Sequence, residues 1–565
     1  VKPYIILILL VAVAYANSLQ NAFVGDDYGL IVKNPRINLP LKEILSPLTE
    51  PLWKLAGKIE AWQVYYRPMV YLFFVINYKI WGLNPAGFHL TNIILHLINL
   101  INVIVLYRIG LLLFDSDNIT LPLIPSRRGR GTKEVPSPLV GEGKGEGGFL
   151  DKELLSLIAA SIFAVHPVHN EPAGRAASGE VIFGFFIILS LYFFLKERQY
   201  LSWFTFFLAL LSKEAAIMLP FALVILTTHR EGIKKGLIAI IPYIILVSVY
   251  LTIRSQVTDT VLGDEIKQPI FTRILTMSVA TFDYIRLLIV PYPLSPYYPA
   301  RWYSSIFEPK VLIAIVILAS ITYLAFRIRK DKAMLFLLSF PFIMLAPVLW
   351  RVNTFPVGSD LVYIAERFLY VPVMTFSLFV AVSVLTLFKD KRKHIVVGWL
   401  LVIAIFTVIT ILSNRMWRDN LTLFSRIVKE SPHHAFAHDS LGLAYYRYGR
   451  ISEAIQEYKT ALMLNPDDPH IYDNLALAYE AGGHLAGAYN SFGMAYSKKG
   501  QLDKAIRGFQ MALRLNPNYA EAHYNLGEAY KQKGLINEAI QEFQMALKIN
   551  PDLIQARQNL ELLQR

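Results

Sequence analysis

The chain has no cysteine in 565 residues. That excludes disulfides, thiol nucleophiles and cysteine-based metal sites. Charge is also scarce: 17% of residues are Asp, Glu, Lys or Arg, against 55% hydrophobic ones. A water-soluble protein of this length needs more polar surface than that, and the mean hydropathy of +0.42 agrees. What the sequence has instead is a series of apolar runs near the spanning length of about 20 residues, continuing to residue 412. From about Asn414 the composition turns polar and helical. Two domains are expected: an integral membrane domain over 1–413 and a soluble domain over 414–565.

The formal charge is +13. Many of the Lys and Arg residues sit in short links between apolar runs, where they orient a membrane protein, so nucleic-acid binding is not the reading. The first run, Tyr4 to Ala16, is read as an uncleaved first helix because many further spans follow. The segment 121–148 is rich in Gly, Pro and basic residues and is expected to be a disordered cytoplasmic insertion. Placing it inside requires 69–81 to lie on the outer surface or re-enter. The remaining basic links, including Lys196 with Arg198, Lys234 with Lys235, Arg327 with Arg329, and Lys391 with Arg392, then also fall inside. This gives eleven spans, with the C-terminal domain outside. The run 271–290 carries Arg273, Asp283 and Arg286 and suits an interfacial helix.

The C-terminal domain is a repeat array. Ser440-Leu441-Gly442-Leu443-Ala444-Tyr445 recurs 34 residues later as Asn474-Leu475-Ala476-Leu477-Ala478-Tyr479, and again as Asn525-Leu526-Gly527-Glu528-Ala529-Tyr530. That period and pattern are the tetratricopeptide signature. One interval departs from it: Asn465-Pro466 to Asn516-Pro517 spans 51 residues, one and a half units. Half a repeat is expected to be lost or gained there, bending the stack or changing its helix parity. Such arrays expose a concave groove for peptides or partner proteins, or serve as scaffolds.

On this topology several polar clusters meet on the outer side. They are Asp26-Asp27, the stretch His166, His169, Glu171 and Arg175, the pair Lys213-Glu214, and the pair Glu366-Arg367, with Arg67 joining from the surface run. Ionisable residues at a membrane are costly unless they work. Carboxylates beside cations suit a phosphate-bearing lipid and a hydroxyl acceptor, the carboxylate taking the acceptor proton and the cations holding the leaving phosphate. A metal on His166, His169 and Glu171 is an alternative, but the spacing is loose and Pro167 interrupts helix geometry, so none is expected to be required. A transporter path is another reading, and helix capping is the plain role for Asp26 and Asp27. The stripe His89, Asn92, His96 and Asn99 is expected to form interhelical hydrogen bonds, with His89 nearest the site.

Several stretches, taken together, resemble a known family. They are Phe23-Val24-Gly25-Asp26-Asp27-Tyr28, Tyr66-Arg67-Pro68, Phe163-Ala164-Val165-His166-Pro167-Val168-His169-Asn170-Glu171, Leu211-Ser212-Lys213-Glu214 and Ala365-Glu366-Arg367-Phe368-Leu369-Tyr370. With the repeats they resemble the transmembrane and tetratricopeptide-repeat-containing O-mannosyltransferases, related to other membrane glycosyltransferases of the GT-C class. The resemblance implies an all-α fold: a polytopic GT-C-type membrane domain followed by a tetratricopeptide α-solenoid. It implies a polyprenyl- or dolichyl-phosphate sugar as donor and a protein Ser or Thr hydroxyl as acceptor, with inversion at the anomeric carbon. It also implies Asp27 or Asp26 as the base; Arg175, Lys213 and Arg367 are assigned to the lipid phosphate. Two further possibilities remain: a catalytically inactive membrane-anchored repeat protein that recruits partners, and transfer to a lipid or glycan. Composition and the insertion suggest a prokaryotic inner or plasma membrane, with site and repeats on its extracytoplasmic side, and a sugar that need not be mannose.

Overall fold

In the computed structural model the described residues are 2–40, 43, 50, 66–113, 147–258, 268–296, 298–351, 362–388 and 391–564. The chain divides into two compact units, Val1–Asp419 and Asn420–Arg565. Both are helical. Among the described residues the exception is one short antiparallel pair, Tyr298–Ala300 with Val362–Ile364, in the register Tyr298↔Ile364.

The first unit is a bundle of apolar helices. The opening helix Lys2–Tyr15 continues as a 3-10 turn over Ala16–Gln20 and packs on Arg392–Asn414 and Gly147–Val165. The long helix Pro85–Leu113 packs on Gly147–Val165 and on Glu180–Leu195. Proline opens several of these helices, including Pro68–Trp81, Pro309–Arg327 and Pro372–Leu387. It fits there because the first-turn N–H has no intrahelical partner and φ is already helical.

The count of eleven spans is not met. Among the described residues five helices are long and apolar enough to cross a bilayer: Pro85–Arg108, Ile233–Val257, Pro309–Arg327, Lys332–Leu349 and Lys393–Trp417. The other six expected spans are apolar helices of 10–17 residues. Polar links cut them short; Lys196 to Arg198 and Lys213-Glu214 bound the helix Gln199–Ser212 on both sides. The helix Pro68–Trp81, expected to lie on the surface or re-enter, has 14 residues and buries Val70, Tyr71, Phe74 and Val75. The insertion expected over 121–148 falls outside the described residues as far as 146, and a helix begins at Gly147.

The stripe on Pro85–Leu113 does join helices. His96 Nδ1 meets the Tyr370 hydroxyl at 2.9 Å, and Asn99 Nδ2 donates to the same oxygen at 2.9 Å and to the Val181 carbonyl at 2.9 Å. His89 is buried, with Nε2 3.2 Å from the Asn21 carbonyl.

The second unit is a stack of antiparallel helices from Asn420–Glu430 to Ile554–Gln564. The aromatic rings of Tyr458, Phe509 and Phe543 pack against Gly442, Gly493 and Gly527, one small residue facing one ring per repeat. The irregular interval has a simple structural solution. Helix Leu485–Lys498 packs closely on both Pro469–Ala481 before it and Leu502–Leu515 after it. Asn525 Nδ2 donates to Asn490 Oδ1 at 3.1 Å, as Asn474 Nδ2 does to Asp439 Oδ1 at 2.8 Å. The helix therefore closes one repeat and opens the next.

Gly493 is where the two roles meet. A Cβ there would lie 2.5 Å from Phe509 Cε1, and Phe509 is fully buried. Gly493→Val is expected to cost about 2–3 kcal/mol, since a filled core cannot accept the added methyls. Hydrogen exchange should quicken over residues 485–515 while that of the first unit stays unchanged.

Candidate functional site

The loop after Gln20 presents two adjacent carboxylates in opposite environments. Asp27 is fully buried. The Val24 N–H donates to its Oδ2 at 2.9 Å and the Ala177 N–H to its Oδ1 at 2.8 Å, so this side chain ties the loop to a segment 150 residues away. Asp26 is 53% exposed and accepts from Arg175 Nη2 at 3.0 Å. Arg175 Nη1 reaches Glu171 at 3.3 Å, and the same Glu171 oxygen accepts from Arg367 Nη1. The Arg367 N–H also donates to Glu171 Oε2 at 3.3 Å. The result is an alternating line, Asp26–Arg175–Glu171–Arg367, with Glu171 only 3% exposed at its centre.

Burial pushes the Asp27 carboxyl up to about 6, against the pull of Arg175 and the two N–H bonds, and Asp26 adds to the rise. The ordinary value is 3.8. The folded state therefore holds a proton that the unfolded chain has released. The stabilisation from this group is complete below about pH 4 and is lost as pH rises through about 6. The thermal midpoint of the first unit should fall across that window, and Asp27→Asn should remove that part of the slope.

A second cluster lies beside Arg367. Lys213 Nζ donates to both Glu180 oxygens at 2.7 and 2.5 Å, and the two side chains are 6% and 8% exposed. Nζ also sits 4.5 Å from the ring centre of Phe368, with Arg367 Cζ 5.4 Å from the same ring. Lys213, Glu180, Arg367, Phe183, Phe368 and Met344 line a small, partly open recess. The residue after Lys213, Glu214, takes a two-pronged bond from Arg67, Nη2 to Oε1 at 2.7 Å and Nε to Oε2 at 3.1 Å. Direct contacts thus gather Asp26, Glu171, Arg175 and Arg367, with Asp27 next to Asp26 in the chain, Lys213 at the neighbouring recess, and Glu214, paired with Arg67, directly after Lys213.

Three residues expected to bind substrate make other contacts. His166 Nε2 is 3.1 Å from the Leu288 carbonyl, and burial lowers its pKa to about 4. His169 is fully buried among the rings of His96, Phe163 and Tyr370. Glu366 accepts from the Ser295 N–H at 2.9 Å and from the Tyr298 hydroxyl at 2.5 Å, so it anchors the loop beside the strand pair. Pro167 turns the chain so that both imidazoles point into the interior. Among the described residues no three His, Asp or Glu side chains are grouped to hold a metal. Glu180 and Trp417 were missed in the sequence, whereas Asn92, one of the stripe expected to hydrogen-bond between helices, donates from Nδ2 to the Arg175 carbonyl at 2.7 Å. Of the two missed residues, Glu180 carries a sequence signal, a lone carboxylate heading an apolar run.

Family profiles described as TPR repeat match residues 442–483 and 493–534, and one described as tetratricopeptide repeat matches 520–553. Protein O-mannosyl-transferase F38B6.6 of Caenorhabditis elegans is 24% identical over 491 residues, covering 82% of this chain and 63% of that protein. Human protein O-mannosyl-transferase TMTC1 is 25% identical over 80% of this chain and 54% of its own length. Human protein O-mannosyl-transferase TMTC3 is 25% identical over 83% and 52%. The chain is homologous to the protein O-mannosyl-transferases. It spans about half to two thirds of the length of these relatives. The homology runs through both units, since the matches cover four fifths of this chain. One expectation is overturned. The matched protein O-mannosyl-transferases come from worm, human, mouse and fly, which does not support a prokaryotic inner or plasma membrane. Apolar helices and tetratricopeptide repeats support association with a bilayer and with protein partners.

Proposed function

We propose that the chain is a membrane glycosyltransferase of the GT-C type. It moves a hexose, mannose in the first instance, from a polyprenyl- or dolichyl-phosphate donor to a Ser or Thr hydroxyl of a protein. The observation that carries this reading is the line Asp26–Arg175–Glu171–Arg367, which runs from an open carboxylate to the recess holding Lys213 and Phe368. The names of the homologues supply the sugar and the acceptor class.

Asp26 is the base. Its exposure leaves an oxygen for the acceptor hydroxyl, while Arg175 holds the carboxylate in place. The hydroxyl oxygen attacks the anomeric carbon as its proton passes to Asp26. The bond from that carbon to the phosphate oxygen breaks on the opposite face, which inverts the centre. The charge left on the phosphate falls to Arg367 and Lys213, in a setting poor in water, where fixed cations act strongly. Asp27 has both oxygens committed to backbone N–H groups and positions Asp26. The repeat array over 414–565 favours a protein acceptor over a lipid or glycan, because such arrays bind polypeptide. No metal enters this scheme.

The test is direct. The purified chain is mixed with dolichyl-phosphate mannose and a panel of protein acceptors, and intact mass is read. A gain of one hexose on acceptor is expected. No gain with any polyprenyl-phosphate sugar, alongside retention of a partner by the repeats, would replace this reading with that of a membrane-anchored recruiting protein.

A further inference from the structure

Residues 414–418 span the end of the helix Arg392–Asn414 and the turn after it, and lead to Asn420, where the repeat unit starts. They are bonded to the loop that carries Asp26. The Ala22 N–H donates to the Arg418 carbonyl at 2.8 Å. Asn21 Nδ2 donates to the Asn414 carbonyl at 3.3 Å and to the Gly174 carbonyl at 3.4 Å. Asn414 Nδ2 in turn donates to the Ala14 carbonyl at 2.9 Å and to Asn17 Oδ1 at 2.8 Å. Within this weave Trp417 is 4% exposed. The Arg175 Cζ lies 5.8 Å from its ring centre. Gly174 lies beside the indole: a Cβ there would stand 3.6 Å from Trp417 Cδ1, an ordinary packing contact.

Arg175 is pulled two ways. One Nη bonds to Glu171, which is buried, and the other to Asp26, which is half exposed to competing water. Left alone, a guanidinium in that position turns toward the buried partner, where the bond is less screened. An aromatic face near the guanidinium attracts the cation and limits that turn.

We propose that Trp417 is a positioning residue for Arg175, holding its guanidinium where it can grip Asp26 and Glu171 at once. The kinetic part of this proposal rests on the transferase reading above; the structural part rests on the contacts alone. Trp417 does not touch the reacting atoms in this scheme. It acts through Arg175 on the placement of the base.

The experiment uses the full chain with Trp417→Ala, Trp417→Phe and Trp417→Leu. With dolichyl-phosphate mannose as donor, Trp417→Ala is expected to lose about tenfold or more in kcat with the donor KM unchanged, because misplacing a catalytic group by about 1 Å carries a cost of that order. Trp417→Phe keeps a π face and should retain most of the rate; Trp417→Leu keeps bulk alone and should not. Hydrogen exchange supplies a readout that needs no turnover: the Ala22 and Ala177 amides should exchange faster in the Ala and Leu variants and at the wild-type rate in Trp417→Phe. Equal behaviour of Phe and Leu variants in both readouts overturns the proposal, and so does a raised donor KM with kcat intact. If the wild-type chain transfers no sugar, the transferase reading fails by itself, and the exchange comparison still decides whether Trp417 positions Arg175. If Trp417→Ala does not fold, the Phe and Leu pair decides.

Discussion

Asp26→Asn is expected to lower sugar transfer by about 10²–10⁴-fold, the usual contribution of a positioned base, with no loss of fold. The argument is one of access. The Asp26 side chain is 53% exposed, and the amide can still accept from Arg175 Nη2. What it cannot do is take a proton. The neighbouring change, Asp27→Asn, reads differently. Both Asp27 oxygens accept backbone N–H bonds, and an amide nitrogen cannot accept, so either the Val24 or the Ala177 N–H is left unpaired. That costs about 1–3 kcal/mol. Asp27→Asn should therefore lower the melting temperature and the rate together, whereas Asp26→Asn lowers the rate alone. Full transfer by the Asp26 variant, with an unmelted but inactive Asp27 variant, would exchange the two roles.

The second large effect concerns Lys213 and Glu180. The pair is almost sealed from water, with side chains 6% and 8% exposed and Nζ bonded to both carboxylate oxygens. Lys213→Ala strands the Glu180 charge, and Glu180→Ala strands the Lys213 charge. Breaking one side of a buried pair costs about 3–5 kcal/mol, whereas replacing both partners with apolar groups of similar volume is far milder. The double variant Lys213→Met/Glu180→Leu should thus melt closer to wild type than either single Ala variant, while still failing to transfer sugar, since the recess has lost a cation. Single variants that melt like wild type would mean that water screens the pair and that the recess is not a low-dielectric site.

Local patterns foretold the elements well because they are local. Apolar runs broken by charged links give the helix boundaries, as at Lys196 to Arg198 before Gln199–Ser212. Small residues at fixed spacing give the tetratricopeptide packing, and Gly442 and Gly527 do face Tyr458 and Phe543. The irregular 51-residue interval showed that half a repeat was out of phase but not how the stack absorbs it. Only the packing of Leu485–Lys498 on both neighbours answers that. The span count failed for a related reason: hydropathy marks an apolar segment, but whether it is long enough depends on where the helix ends, and six of them end within 17 residues.

By itself the sequence determined the helical class, the two-part organisation, the repeats, and the set of charged residues worth examining. The tertiary structure alone decided which of those charges meet and which are shut away. Asp26 and Asp27 are adjacent and chemically identical. They differ because the Ala177 amide, 150 residues on, claims one and Arg175 holds the other at the surface. His166, His169 and Glu366 likewise take their partners, Leu288, Tyr370 and Tyr298, from distant segments. Burial and pairing are properties of contacts between distant segments, and a charge takes its role from the partners that remove it from water or leave it there.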